Sequence, residues 1–275
     1  MRLYRTPADW LVETDDGSAR VLPKFDFDGW LAGPDPVADL RQLAATARAA
    51  AAPAPAAPLM PIGSQEIWAV GVTYQRSKVA RMEESQNAKS AYDLVYDAPR
   101  PELFFKATPA RTRGPGQPVT LRHDTKWIVP EPELALVISS LGKLVGYTIG
   151  NDMSCRDIEG ENLLYLPQAK TWNGCCALGP CILLADPTHD VRAAEIRITI
   201  TRDGAPAFTG SVQVSQIKRT FEELIGYLFR DQSFPNGVIL LTGTGIVPPN
   251  EFSLRSGDVI RIEIDGIGTL ENPVA

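Results

Sequence analysis

Residues 130–138 read PEPELALVI, and residues 139–152 continue as SSLGKLVGYTIGND. Side chains of an extended strand alternate between its two faces, so Glu131, Glu133, Ala135 and Val137 share one face and Leu134, Leu136 and Ile138 the other. Two carboxylates therefore project side by side from the start of an apolar strand. A turn at Leu141-Gly142-Lys143 sends the chain back, and the returning strand ends at Asp152, near the place where the first one began. Three anionic oxygens gathered there repel one another if left alone. They suit a hard cation such as Mg²⁺ or Mn²⁺, with water and substrate filling the remaining octahedral positions. The alternative open at this point is a polar strand mouth facing water.

Outward from this hairpin the chain stays strand-rich. IWAVGVTY, ELFFKA, PVTL, PCILLA, EIRITITRDG, GVILLTG and DVIRIEIDGIGTL are β-type runs separated by Gly, Pro, Asn and Asp. Two helices are expected in this body, over 77–89 and 216–231, the second with an apolar stripe of Ile217, Phe221, Leu224, Ile225 and Leu228. The first forty or so residues read as short strands and turns, and 36–50 as a helix. The Ala/Pro tract at 49–61 favours an extended connector. A small N-terminal domain over 1–60 and a catalytic domain over 61–275 follow, and the fold class is β-rich α+β.

Composition narrows the function. A chain of 275 residues buries enough surface to fold without a metal staple, so a bound metal is expected to serve chemistry. With 27 Lys and Arg against 33 Asp and Glu the net charge is −6, and no basic run could neutralise a phosphate backbone; nucleic acid is excluded as a partner. No apolar stretch approaches the roughly 20 residues that span a bilayer, and MRLYRTPADW lacks the apolar core of a signal peptide, which makes the cytoplasm the expected location. Cys155, Cys175, Cys176 and Cys181 have neither the density of a disulfide framework nor the paired spacing of a zinc site. Only His123 and His189 are available as histidines. Carboxylates and lysines are the better candidates for the chemistry.

The order PEPELALVI, YTIGNDMSCRD, LPQAK, TGTG and GDVIRIEIDGIGTLENPV resembles the fumarylacetoacetate hydrolase superfamily from about Gly63 to the C-terminus. PELFFKATPAR (101–111), VPEPELALV (129–137), EGENLLYLPQAK (159–170) and NGCCALGP (173–180) resemble its branch of sugar-acid dehydratases. The resemblance implies a mixed β-sandwich roll and a metal in a cleft, with Glu131, Glu133 and Asp152 at the positions of the family ligands. It implies Mg²⁺, with Mn²⁺ or Ca²⁺ as alternatives. It also implies dehydration of a 2-keto-3-deoxy sugar acid such as 2-keto-3-deoxy-D-arabinonate to 2,5-dioxopentanoate, in a homodimer or higher homo-oligomer.

Hydrolases of the superfamily carry a water-activating His–Glu pair after a GxNY strand. The matching segment here, GVTYQRSKVARMEES (71–85), has no histidine. His123, the nearest substitute, is read as a loop or core residue. The charges of this segment form either a solvated helix face or a lid, and Arg76 and Glu84 are taken as substrate-binding. Lys170 matches a family lysine and is a candidate base, with Glu102 as its partner. Arg156, four residues after Asp152, reaches a substrate carboxylate or braces a metal ligand. Lys106 shares a strand face with Glu102 and is taken, with Thr244 of TGTG, as substrate-binding; Glu159 and Glu161 are alternatives. The competing readings are a hydrolase or decarboxylase that cleaves a C–C bond, and a binding protein without catalysis.

Overall fold

The computed structural model describes residues 1–50, 55–84 and 94–275; the side chains of Arg81, Glu83 and Glu84 lie outside the described set. Its strands, in chain order, are β1 (Arg2–Arg5), β2 (Trp10–Glu13), β3 (Ala19–Leu22), β4 (Arg48–Ala49), β5 (Glu66–Gly71), β6 (Glu102–Ala107), β7 (Thr112–Arg113), β8 (Ile128–Val129) and β9 (Pro132–Ile138). They continue with β10 (Leu144–Asp152), β11 (Ser154–Cys155), β12 (Cys176–Leu184), β13 (Glu195–Arg202), β14 (Ala205–Gln213), β15 (Val238–Leu241), β16 (Val259–Ile264) and β17 (Gly268–Pro273). Eleven strands make one mixed sheet in the order β4-β3-β2-β1-β12-β10-β9-β15-β5-β6, with β7 beside β12. Only the β15–β5 and β12–β7 pairs in it are parallel. Four strands make a second, antiparallel sheet in the order β14-β13-β16-β17, and β8 pairs with β11.

The two sheets stack because the sequence gives each an apolar inner face. Leu134, Leu136 and Ile138 of β9 share one core with Ile196, Ile198 and Ile200 of β13 and Ile260 and Ile262 of β16. Ala135 and Val137, on the other face of β9, pack in a second core with Trp30, Leu31 and Leu40 from the N-terminal helices. All seven residues of β9 are buried. The alternation read from PEPELALVI therefore describes two covered faces, and the mixed sandwich expected from the family resemblance is the fold observed. The hairpin β13–β14 turns through Asp203 and Gly204, both at positive φ, the geometry that an Asp-Gly pair supplies.

Several boundaries differ from those read in the sequence. The helix expected to reach residue 50 spans Pro36–Thr46, capped by Asp35, because Arg48 and Ala49 are taken up as β4 against β3. A helix at Phe27–Ala32, capped by Asp26, was not expected; its six residues are too few to show periodicity. Gln75–Glu84 is helical, and the rest of the helix expected over 77–89 lies outside the described residues. The helix expected over 216–231 covers Phe221–Leu228, with Thr220 accepting from Glu223 N; four of the five stripe residues are on it, and Ile217 is buried just before it. The N-terminal strands continue the large sheet, since β1 pairs with β12.

Candidate active site

The hairpin β9–β10 sets the position of the carboxylates. Its register pairs Pro132 with Asn151 and Glu133 with Gly150, and Asp152 N donates to Glu131 O at 3.0 Å. Glu131, Glu133 and Asp152 thereby each offer an oxygen within 4.8 Å of the others, with all three residues buried. Gly243, in the loop after β15, donates its N–H to Glu133 Oε2 at 2.5 Å. Glu133 is pushed well above the usual carboxylate range, first by burial, then by the neighbouring Asp152 and Glu131 charges.

Three buried cations face these acids. Lys170, at the end of the helix Leu166–Lys170, places Nζ 2.8 Å from Glu131 Oε2 and 3.1 Å from Asp152 Oδ2. Arg156 Nη2 lies 2.9 Å from Glu131 Oε1. Lys106 Nζ lies 2.6 Å from Asp152 Oδ1, yet its hydrogen bonds go to Met153 O at 2.8 Å and Lys170 O at 2.5 Å. Asp152 Oδ1, fully buried, is paired with that charge but accepts no hydrogen bond among the described residues. Burial opposes the charge on Lys106 more than any single neighbour favours it, but the Asp152 carboxylate together with Cys175 and Cys176 raises the ammonium above its ordinary value.

This donor set fits a divalent cation. It consists of hard oxygen ligands only, one of them a buried oxygen without a hydrogen bond, and the ammonium of Lys170 stands between two of the carboxylates where a positive charge is wanted.

A narrow cleft opens onto these groups. Gly71, Val72, Ser77, Glu102 and Phe104 line it from β5, β6 and the segment after β5; Glu159, Leu166 and Lys170 line it from the two helices after β11; Gly243 and Thr244 come from the loop after β15. Glu102, Thr244 and Lys170 are thus brought together with Glu131 and Asp152 in one cleft. Arg156 is buried behind Glu131 and does not line the cleft, so of its two expected roles the geometry matches the bracing one. Lys106 is likewise wholly buried, behind Asp152 and away from the cleft surface; its two hydrogen-bond acceptors and its ion-pair partner are all protein groups. Arg76 is exposed and outside the cleft lining, and the side chain of Glu84 lies outside the described residues.

Glu159, read only as an alternative, is buried and accepts from Ser154 Oγ at 3.0 Å, whereas Glu161 is exposed. Gly71, Ser77 and Gly243 were missed. Ser77 binds its own turn, donating to Tyr74 O at 2.7 Å, and no sequence pattern separates it from any helix-start serine. His123 and His189 are both exposed and neither lines the cleft. The four cysteines are buried free thiols; burial pushes Cys155 and Cys181 up to about 12, the range of an inert structural thiol. A cavity of about 950 Å³ lies elsewhere, lined by Trp30 and residues of the helix Pro36–Thr46, away from the carboxylates. No helix among the described residues is long and apolar enough to cross a membrane.

The sandwich and its carboxylate hairpin define the class. The chain belongs to the fumarylacetoacetate hydrolase family, whose description "Fumarylacetoacetate (FAA) hydrolase C-terminal" matches residues 66–275. It is 48% identical over 215 residues to the "Probable 2-keto-3-deoxyxylonate dehydratase" of Haloferax volcanii, covering 78% of this chain and 74% of that one. It is 46% identical over 217 residues to the 2-dehydro-3-deoxy-D-arabinonate dehydratase of Saccharolobus solfataricus, covering 78% of this chain and 73% of that one. Among solved structures it resembles a 2-keto-3-deoxy-D-arabinonate dehydratase complexed with magnesium and 2,5-dioxopentanoate, with a TM-score of 0.82, 36% identity, and coverage of 100% of this chain and 98% of the other.

Proposed function

We propose that the chain is a Mg²⁺-dependent hydro-lyase that converts a 2-keto-3-deoxypentonate to 2,5-dioxopentanoate and water. The observation that carries this reading is the contact of the Lys170 amine with two of the three clustered carboxylates, which puts an acid–base group at the edge of a metal site. The two dehydratase relatives and the magnesium and 2,5-dioxopentanoate complex support the same reaction. Glu131, Glu133 and Asp152 would hold the ion. When bound, it draws electrons from the 2-keto group and lowers the cost of a negative charge developing at C3.

The rest is done by side chains. Lys170 takes a proton from C3, and Glu102, on the facing wall of the cleft, supplies a proton to the departing C4 hydroxyl, which leaves as water. The C3–H and C4–O bonds break and a C3=C4 double bond forms. Loss of a C5 proton and return of one to C3 then give a C4=C5 enol, whose hydroxyl proton is lost as C4 is protonated and the C5 aldehyde forms, with one water lost in total. Thr244 holds the substrate carboxylate end. Arg156 and Lys106 act from behind, fixing Glu131 and Asp152. Arg76 and Glu84 remain proposed contacts from the segment after β5. We place the enzyme in the cytoplasm as a homodimer or larger.

The test is direct observation of products by NMR from a panel of 2-keto-3-deoxy acids with Mg²⁺. A 2,5-dioxo acid of unchanged carbon number is expected. Two carbon fragments, one with a carboxylate labelled from ¹⁸O-water, establish hydrolysis instead; release of CO₂ establishes decarboxylation.

A further inference from the structure

Gly71 and Glu102 are paired across β5 and β6, and both line the cleft. The Glu102 carboxyl group lies directly over the Gly71 Cα. A Cβ placed on Gly71 would fall 1.9 Å from Glu102 Oε2, 2.7 Å from its Cδ and 3.4 Å from its Cγ. Even a methyl group is therefore incompatible with the present position of the carboxyl. Gly71 is not among the positive-φ glycines, so its backbone would accept alanine; it is the occupied space that calls for glycine.

The following residues hold this arrangement in place. Val72 adopts a φ of +52°, a conformation that a β-branched residue keeps only where its surroundings enforce it. Thr73, buried, donates Oγ1 to Thr242 O at 2.7 Å, and the next residue of that loop, Gly243, donates to the Glu133 carboxylate. The end of β5 and the loop that grips one carboxylate of the metal site are thus tied together.

We propose that Gly71 is a positioning residue for the dehydration: it is the seat on which the Glu102 carboxyl rests, fixed relative to the carboxylate cluster through the Val72–Thr73 turn. This rests on Glu102 as the acid–base partner of Lys170. The role makes a specific demand, since a methyl at residue 71 has to act by displacing one flexible side chain, and must therefore be without effect once that side chain is gone.

A double-mutant cycle at saturating Mg²⁺ tests it, with Gly71→Ala, Glu102→Ala and the double variant. Gly71→Ala is expected to lower kcat by roughly 10- to 100-fold, the scale of a displaced catalytic group, with KM changed by no more than about threefold. Its melting temperature and Mg²⁺ affinity should match the parent, and the limb of the pH–kcat profile that Glu102→Ala removes should be shifted. In the Glu102→Ala background the same substitution should change kcat by less than about twofold. Parental kcat in Gly71→Ala overturns the proposal, and so does an equal fold loss in both backgrounds, which a general folding defect would produce. Parental kcat in Glu102→Ala removes Glu102 from the reaction and the seat with it, while leaving the dehydration, established by its products, untouched.

Discussion

Replacing Lys106 with methionine keeps the unbranched side chain to one atom short of the ammonium and removes its charge at a position with no exposure. Methionine can still lie near the Trp172 ring, 5.2 Å from the present Nζ, so packing is largely kept. What is lost is the cation 2.6 Å from Asp152 Oδ1 and the donor to two carbonyls, Met153 O and Lys170 O. Breaking a buried ion pair from one side costs about 3–5 kcal/mol, because the remaining charge is stranded away from water. A chain of this size loses about 2–4 °C of Tm per kcal/mol, so the metal-free variant should melt about 6–20 °C below the parent. Saturating Mg²⁺ should recover part of that deficit, since a cation on Asp152 replaces the charge that was removed. Thermal denaturation with EDTA and with Mg²⁺ reads both effects. A metal-free Tm within about 2 °C of the parent would show that Asp152 does not depend on Lys106 and refute the reasoning.

Metal binding should also strengthen as pH rises. Burial and the neighbouring Asp152 and Glu131 charges push Glu133 well above the ordinary carboxylate range, so in the metal-free protein the stability tied to its neutral form is present at low pH and is lost as pH climbs from there. An ion on the site prefers the carboxylate, and the Tm gain from Mg²⁺ should therefore increase between pH 5 and pH 8; a pH-independent gain contradicts this. Lys170→Ala should lower kcat by about 10²-fold or more while Mg²⁺ affinity measured by calorimetry survives, whereas His123→Ala, an exposed position, should keep most activity. Sedimentation should give at least twice the chain mass of 29.9 kDa at micromolar concentration, and a monomer mass would end the proposed assembly.

How much of this was legible depended on whether the signal was periodic. The alternation in PEPELALVI and the turn at Gly142 placed Glu131, Glu133 and Asp152 at one strand mouth before any coordinates, because strand period and hairpin return are local rules. Lys170 came from family resemblance and Glu102 from its place on a strand face, since nothing local shows that residues 68 apart meet across a cleft. The sequence reading put Lys106 beside Glu102 on one strand face and so toward the substrate. β6 in fact carries Glu102 into the cleft while Lys106, four residues on, reaches the interior behind Asp152. Gly71 left no trace in pattern at all. Its meaning is the absence of a side chain under a carboxyl contributed by a neighbouring strand, and only a cross-strand register can show that.

The arrangement of charges explains how such a site can be built before its metal arrives. Three carboxylates this close would oppose folding if all were ionised and unaccompanied, since each buried charge carries a desolvation cost of several kcal/mol. The chain answers in two ways. Lys106 and Arg156, buried behind Asp152 and Glu131, hold those two oxygens in place from the side away from the cleft, and burial pushes Glu133 toward its neutral form. Lys170 is different, because it approaches from the cleft wall and touches both Glu131 and Asp152 through the oxygens that Lys106 and Arg156 leave open. It is the one described cation of the three that a metal would displace without dismantling the support behind the ligands. On the proposed reaction, the same displacement would let this ammonium exchange protons with a substrate, so the residue that neutralises the empty site would be the one that serves the dehydration once the site is filled.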